Sequence, residues 1–250
     1  MKLKILSYNI HKGFDWKNHR YQLDAIKKLI IHSGAEIVFL QEVIGKNERL
    51  KKRGLIDAQF EYLADEIWSH HSYAQNAIYD SGHHGNLILS KYPIAQFENI
   101  NISTNSWEQR GMLVTKINIP DPKTKKIHTV YCVCVHLNLL HSGRKLQYEK
   151  IKKELSLRLN IKKESIIIAG DFNDWNQKSF EVFENTLQMY ETHKFIHQQY
   201  AKTFPARFPF LSLDRIYTKN LKIISSGVLA LNPKLSDHLP LFCELQMTED

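Results

Sequence analysis

Asp171 and Asn173 stand two residues apart, directly after the run Ile166-Ile167-Ile168-Ala169-Gly170. A carboxylate can hold a cation or take a proton from water, and an amide can donate to an anionic oxygen. If strand geometry holds for one more step, the two side chains face the same way. Such groups at the mouth of a buried strand are costly unless they have a task. Six more polar residues follow or interrupt apolar runs: Asn9, Glu42, His136, Asp214, Asp237 and His238. Each alone has a plain explanation. Asn9 reads as a turn residue, Glu42 as a helix cap, His136 as a satisfied buried histidine, and Asp237 as an Asx turn before His238-Leu239-Pro240. Eight together at strand ends need a shared ligand.

The elements that would position them follow from periodicity. Residues 3–9 alternate and read as a strand. Leu23, Ile26, Leu29 and Ile30 recur at helical spacing and stop near Ser33-Gly34. Residues 37–40 form a buried strand predicted to end at Gln41-Glu42. Residues 47–53 read as a basic surface loop, and Phe60, Leu63, Ala64 and Ile67 as a helix face. His70-His71 and His83-His84 flank a short segment with no assigned element. Residues 86–90, 94–102, 112–119 and 127–135 read as strands, with a hairpin at Pro120-Asp121-Pro122-Lys123. Ile151, Leu155 and Leu159 mark a helix. Residues 143–163 hold eight basic and two acidic side chains, mostly outward, which favours a solvated face over a binding face. The run 166–169 lacks alternation and reads as a strand buried on both faces. Phe180, Phe183 and Leu187 suggest a helix, and residues 204–210 an aromatic loop broken by proline. Residues 213–217, 221–231 and 241–245 complete the strands. No repeat or Gly/Ser-rich linker interrupts the chain, so residues 1–250 read as one domain of sheets covered by helices.

The 250-residue length suits one such domain. A formal net charge of +8 suggests a polyanionic partner. Cys132 and Cys134 share one strand face and cannot easily bridge each other. With Cys243 and no C-x-x-C spacing, they read as buried thiols in a reducing compartment. The opening Met1-Lys2-Leu3-Lys4-Ile5-Leu6-Ser7 is too short an apolar run for a signal peptide, and no segment approaches membrane-spanning length. The expectation is a soluble, cytoplasmic monomer.

Asn9, Gln41-Glu42, Gly170-Asp171-Phe172-Asn173, Leu213-Asp214-Arg215 and Ser236-Asp237-His238-Leu239-Pro240 together resemble the endonuclease/exonuclease/phosphatase superfamily. That superfamily includes deoxyribonuclease I, abasic-site endonucleases, neutral sphingomyelinases and inositol polyphosphate 5-phosphatases. The motifs occur in the family's order and span nearly the whole chain. Ile10-His11-Lys12-Gly13-Phe14, Gly82-His83-His84-Gly85-Asn86, Asp171-Phe172-Asn173-Asp174-Trp175 and Thr203-Phe204-Pro205 look like its bacterial YbhP-type branch.

The resemblance implies a deoxyribonuclease-I-like α/β (α+β) four-layer sandwich. Two packed mixed β-sheets would be flanked by helices, with the active site at one end. It also implies a divalent metal, Mg²⁺ or Mn²⁺, held mainly by Glu42 with Asn9 beside it. Hard oxygen ligands suit either ion. Asp171 would position and deprotonate a water, and Asn173 would donate to the phosphoryl oxygens. His238, oriented by Asp214, would bind or protonate the phosphate, with His136 as a second histidine donor. Asp237 would be a metal or second-layer ligand. Arg110 matches a phosphate-contacting arginine of the deoxyribonuclease branch, and Asn86 and Arg207 are further candidate substrate contacts.

These residue types suit phosphodiester hydrolysis, which needs an in-line nucleophile and neutralisation of phosphoryl charge. No Ser or Cys elbow is present, so the nucleophile would be water. Two departures bear on this expectation. His11 stands where some members carry Asp, which would reshape metal binding, and His136 stands where abasic-site enzymes carry Tyr. His83-His84 read either as loop histidines or as substrate contacts. A zinc site built from them and His70-His71 lacks helical spacing or Cys partners.

Three readings of function follow. Net charge favours a nuclease acting on DNA or RNA. The aromatic loop 204–210, with Arg207, suggests a phospholipid or phosphoinositide phosphoesterase, unless its rings pack under the sheet. A catalytically silent binding module is disfavoured by intact Glu42, Asp171, Asn173 and His238.

Overall fold

The computed structural model describes residues 1–230 and 234–248. The apolar run before Asp171 becomes β8 (Ser165–Asp171). It sends Ile167 and Ala169 into one core and Ile166 and Ile168 into another. A strand buried on both faces has no polar alternation to show. β1 (Lys2–Asn9) divides likewise: Leu3 and Ile5 lie between the sheets, and Leu6 and Tyr8 face the helices.

One sheet has the order β11 (Leu221–Val228), β12 (Leu241–Met247), β1, β2 (Ile37–Asn47), β4 (Gly82–Ser90), β3 (His70–Tyr79). The other runs β5 (Ile94–Asn101), β6 (Gly111–Pro120), β7 (Ile127–His136), β8, β10 (Asp214–Lys219), β9 (Tyr190–Glu191). The β1–β2 and β7–β8 pairs are parallel and the remaining pairs antiparallel, so both sheets are mixed. Cys132, Cys134 and Cys243 are unbridged and buried between the sheets.

Helix α1 (Leu23–Ser33) and helix α3 (Gln59–Glu66) cover the first sheet through Leu23, Ile26, Ile30 and Leu63. Gly34, in the left-handed region at φ 64°, ends α1 where the sequence predicts. Helix α4 (His141–Arg158) and a π-helical turn (Glu181–Thr186) cover the second sheet through Tyr148, Ile151, Leu155 and Phe183. The result is the expected four-layer sandwich. No helix among the described residues is long and apolar enough to cross a membrane.

Parallel pairing aligns strand ends, and this delivers the site. Asn9 lies opposite Gln41, and His136 opposite Asp171. The antiparallel β10 adds its first residue, Asp214, opposite Asp171.

The structure departs from the sequence reading in several places. β2 does not end at Gln41-Glu42 but continues to Asn47. Its pairing with β4 shifts register between Leu40 and Val43, and Glu42 takes a left-handed φ of 58°. A bulge re-aims a side chain without ending a strand. Residues 47–53 are not all loop, because the Asn47 side chain accepts from the Arg49 and Leu50 amides and caps α2 (Glu48–Lys52). The segment between the two His pairs is part of the β3–β4 hairpin. His70 lies opposite Ser90 and His83 opposite Ile78, at opposite ends, so the four histidines cannot share a zinc ion. Arg144, one of the basic side chains of α4 that the sequence places mostly outward, is fully buried. The described part of the strand predicted over 221–231 ends at Val228, and Leu231 lies outside the described residues.

Candidate active site

Gly170 sets the approach of the two central strands. Its φ is +148°, and a Cβ there would lie 1.9 Å from the Val135 carbonyl oxygen. Only glycine lets β8 lie this close to β7. Beyond it, β8 stops at Asp171 rather than running on. Asn173 turns left-handed at φ 47°, and its amide donates to Asp171 Oδ1 at 2.9 Å. An Asx-type turn, not continued strand geometry, keeps the two residues together.

Asp171 is the hub. Its Oδ2 accepts from Asn9 Nδ2 at 3.0 Å and lies 3.5 Å from His136 Nε2 and 3.6 Å from His238 Nε2. The other ring nitrogen of His238, Nδ1, is 2.8 Å from Asp214 Oδ2. That oxygen also accepts from Thr203 Oγ1 at 2.5 Å. Ser236 Oγ donates to the Asn9 carbonyl at 2.8 Å and accepts from the His238 amide at 3.3 Å, tying the loop before β12 to the end of β1. The Phe204 ring lies 5.0 Å from the His238 ring.

Glu42 sits on the far side of Asn9, whose Nδ2 also reaches Glu42 Oε1 at 3.3 Å. Asn9 Oδ1 accepts from the His11 amide. Lys12 Nζ is 3.1 Å from Glu42 Oε2, as an ion pair without hydrogen-bond alignment, so that oxygen is buried with no hydrogen-bond partner. Asp237 Oδ1 is 3.8 Å from His11 Nδ1 and accepts from Ser236 Oγ.

Burial dominates the electrostatics, and the neighbours decide each outcome. Burial pushes the Asp171 carboxyl up, the Asp214 charge adds to it, and His238 opposes. Burial works against the His238 cation, but Asp214 and Asp171 outweigh it, so its pKa rises well above that of an ordinary histidine. Burial and the Arg110 charge hold His136 neutral. Burial works against the Glu42 charge as well, yet its carboxyl is held below the carboxylate range by His136, Lys12 and His84. With His136 neutral, and burial and Lys12 lowering His84 to about 4, Lys12 is the cation that counts at neutral pH.

Two places have donors that fit a divalent ion. Glu42 offers a buried, charged oxygen that is ion-paired to Lys12 Nζ at 3.1 Å, and a hard cation would share or take the place of that ammonium. Asp171, Asp214 and His238 have potential ligand atoms within 4.8 Å of one another. A metal-bound histidine must be neutral, and His238 between two carboxylates favours its cation, so Glu42 fits better.

The other candidate contacts lie in varied settings. Asn86 is buried, and its amide donates to the Gly111 and Cys134 carbonyls between the sheets. Arg110 pairs with Glu108 at 2.8 Å, and its Nε is buried without a partner. Arg207 is exposed and lies over Trp16. Sequence reasoning gave no role to Lys12, Thr203 or Ser236. All three stood in the motifs above, but their partners lie 30, 11 and 227 residues away along the chain, and no local pattern signals them.

The chain belongs to the Endonuclease/Exonuclease/phosphatase family, whose model matches residues 6–238 and so spans every polar strand end from Asn9 to His238. Within that family it is similar to the Escherichia coli (strain K12) "Uncharacterized protein YbhP". The two are 39% identical over 249 residues, covering 98% of this chain and 96% of the relative, and the Shigella flexneri YbhP matches equally. Three solved structures share the fold. A Beutenbergia cavernae endonuclease/exonuclease/phosphatase has a TM-score of 0.80 at 15% identity, covering 98% of this chain and 72% of that one. A humanized D. rerio TDP2 gives 0.73 at 18%, covering 98% and 99%. A Bacteroides thetaiotaomicron mannosyl-6-phosphatase gives 0.72 at 15%, covering 97% and 99%.

Proposed function

We propose that the protein is a divalent-metal-dependent phosphodiesterase that attacks phosphorus with an activated water. The observation that carries this reading is His238, held by Asp214 at 2.8 Å through Nδ1 and turned toward Asp171 through Nε2. Asp171, raised toward neutrality by burial, holds a water and accepts its proton. His238, protonated between its two carboxylates, donates to a phosphoryl or leaving oxygen. Asn173 gives one amide hydrogen to the Leu137 carbonyl at 2.9 Å, and the other would be the donor to the phosphate. Glu42, with Asn9 beside it, would hold Mg²⁺ or Mn²⁺, which supplies positive charge to a phosphoryl oxygen.

The charge surplus suits a polyanionic substrate, and DNA or RNA is one such class. A second reading, hydrolysis of a phospholipid headgroup ester, is favoured by exposed apolar side chains around the site. Turnover of bis-p-nitrophenyl phosphate with Mg²⁺ or Mn²⁺ tests the reaction. The expected outcome is activity that is lost in Asp171→Ala and His238→Ala, and variants as active as the wild type would overturn the reading. Plasmid nicking against headgroup release from anionic liposomes separates the two substrate classes.

A further inference from the structure

The loops around the site carry side chains that a water-facing surface does not call for. Trp107 is 94% exposed, Leu140 71% and Phe208 72%, and Leu139, Trp175 and Phe210 are more than half exposed. They form two arcs. Leu139 N donates to Glu108 Oε1, beside Trp107, and Trp175 Nε1 donates to the Leu139 carbonyl. This arc adjoins His136 and Asn173, which precede it in the chain on β7 and after β8. The second arc is the aromatic loop. Its Phe204 ring rests against His238, and its Ala206 amide donates to the Asp237 carbonyl at 2.7 Å. Phe208 and Phe210 follow, facing out.

We propose that this rim docks the active site onto an anionic lipid surface and that the substrate is a phosphodiester at a lipid headgroup. The inference rests on the phosphodiesterase reading for the chemistry at the centre of the rim. Exposed apolar side chains set on the loops next to a site, rather than singly on a strand or helix as Ile127, Leu146 and Leu157 are, mark an interaction surface. The residue types choose the occupant. Trp and Phe suit the boundary between headgroup and acyl chain, and an adjacent Leu pair adds apolar area that enters acyl chains but cannot stack on a base. Cations stand among them. Arg207 lies over both Trp16, at 5.4 Å, and Phe208, at 5.5 Å, while Lys17 lies over Trp16 at 4.9 Å. These are the charges that meet anionic headgroups. By contrast, the basic helix α4 is laced with acids, Lys152 with Glu149 and Arg158 with Glu98 and Glu154, as a solvated face would be.

Co-sedimentation of the full chain, in chelator so that nothing turns over, is the test. The vesicles are phosphatidylcholine alone, or phosphatidylcholine and phosphatidylglycerol in equal parts. The expected result is partitioning onto the anionic vesicles. It should fall about a hundredfold when Leu139, Leu140, Phe208 and Phe210 are all changed to Ser, with the melting temperature held. A milder variant, Phe208→Ser with Phe210→Ser, should fall about tenfold and covers the case in which the quadruple change does not fold. Three results overturn the proposal: no binding to anionic vesicles, binding that persists in both variants, or binding only to a single-stranded oligonucleotide. Turnover of a soluble diester by the wild type, without vesicles, tests the phosphodiesterase reading separately.

Discussion

Two aspartates three residues apart, Asp171 and Asp174, are both buried at the end of β8, and they do opposite things. Asp174 is saturated. Its Oδ1 accepts from Tyr148 Oη and the Lys178 amide. Its Oδ2 accepts from the Ser179 amide and hydroxyl and faces Arg215 Nη2 at 3.4 Å. Arg215 in turn donates to the Ser212 and Asp214 carbonyls and packs over Tyr200. That cluster satisfies both Asp174 oxygens and fixes the loop, although Arg215 Nε within it is buried without a hydrogen-bond partner. Around Asp171 the satisfaction is incomplete. Two histidines stand at 3.5 and 3.6 Å, Asp214 Oδ1 is buried without a hydrogen-bond partner, and Glu42 Oε2 is held by the Lys12 ion pair at 3.1 Å. Single unpartnered atoms occur on both sides, Arg215 Nε among them, so what sets Asp171 apart is two histidines and Asp214 gathered around one carboxylate, with no cation of the Arg215 kind among the described residues to close the set.

The sharpest way to break this contrast is to remove each carboxylate in turn. Asp171→Asn should lower diester turnover by roughly a hundred- to ten-thousand-fold while leaving the melting temperature unchanged or raised. Asp174→Ala should do the reverse. It strands Arg215 without its partner and should cost about 3–5 kcal/mol in chemical denaturation, because one member of a buried pair is gone. Equal effects of both changes on both readouts would erase the distinction. Next in size, Glu42→Gln should raise the Mn²⁺ needed for half-maximal turnover by at least about tenfold, read from a metal titration.

Glu191 tests the Arg215 side by pH. It is buried beside Arg215 and caps α5 (Thr192–His197) through the Lys194 amide, but burial pushes its pKa up to about 7. The folded state therefore holds a proton that the unfolded state has released, and stability falls as pH rises from the unfolded value through the folded one. Between about pH 5 and pH 8 this should amount to roughly 1–3 kcal/mol, and Glu191→Gln should flatten that slope in urea melts. The smallest effect is expected on α4. Neutralising Lys152, Lys153 and Arg158 should barely change salt-dependent nucleic-acid binding, because exposed paired charges contribute little.

Much of the site was legible because strand ends carry it. An apolar run that meets a polar residue is a local signal: β7 ends on His136, β8 on Asp171 and β1 on Asn9, while β10 opens on Asp214. Glu42 was found for the same reason, although the bulge that aims it was not, since a register shift depends on the partner strand β4. The β3–β4 hairpin was hidden because β3 is half exposed and carries polar residues at its start and in its middle, so it shows no clean alternation. Thr203 on Asp214, Ser236 on Asn9 and Lys12 on Glu42 are contacts between segments that no spacing rule connects. The exposed rim could not be told from a packed aromatic cluster, because sequence shows residue type and not which side of a loop meets water.

The most direct test of the phosphoester centre is a metal-dependent assay of a soluble diester on three forms of the chain: wild type, Asp171→Asn and Asp214→Asn. The account predicts turnover by the wild type that needs Mg²⁺ or Mn²⁺ and stops with chelator. It predicts loss in both variants with melting temperatures near the wild-type value. Turnover that survives chelation, or that either variant retains in full, would contradict it.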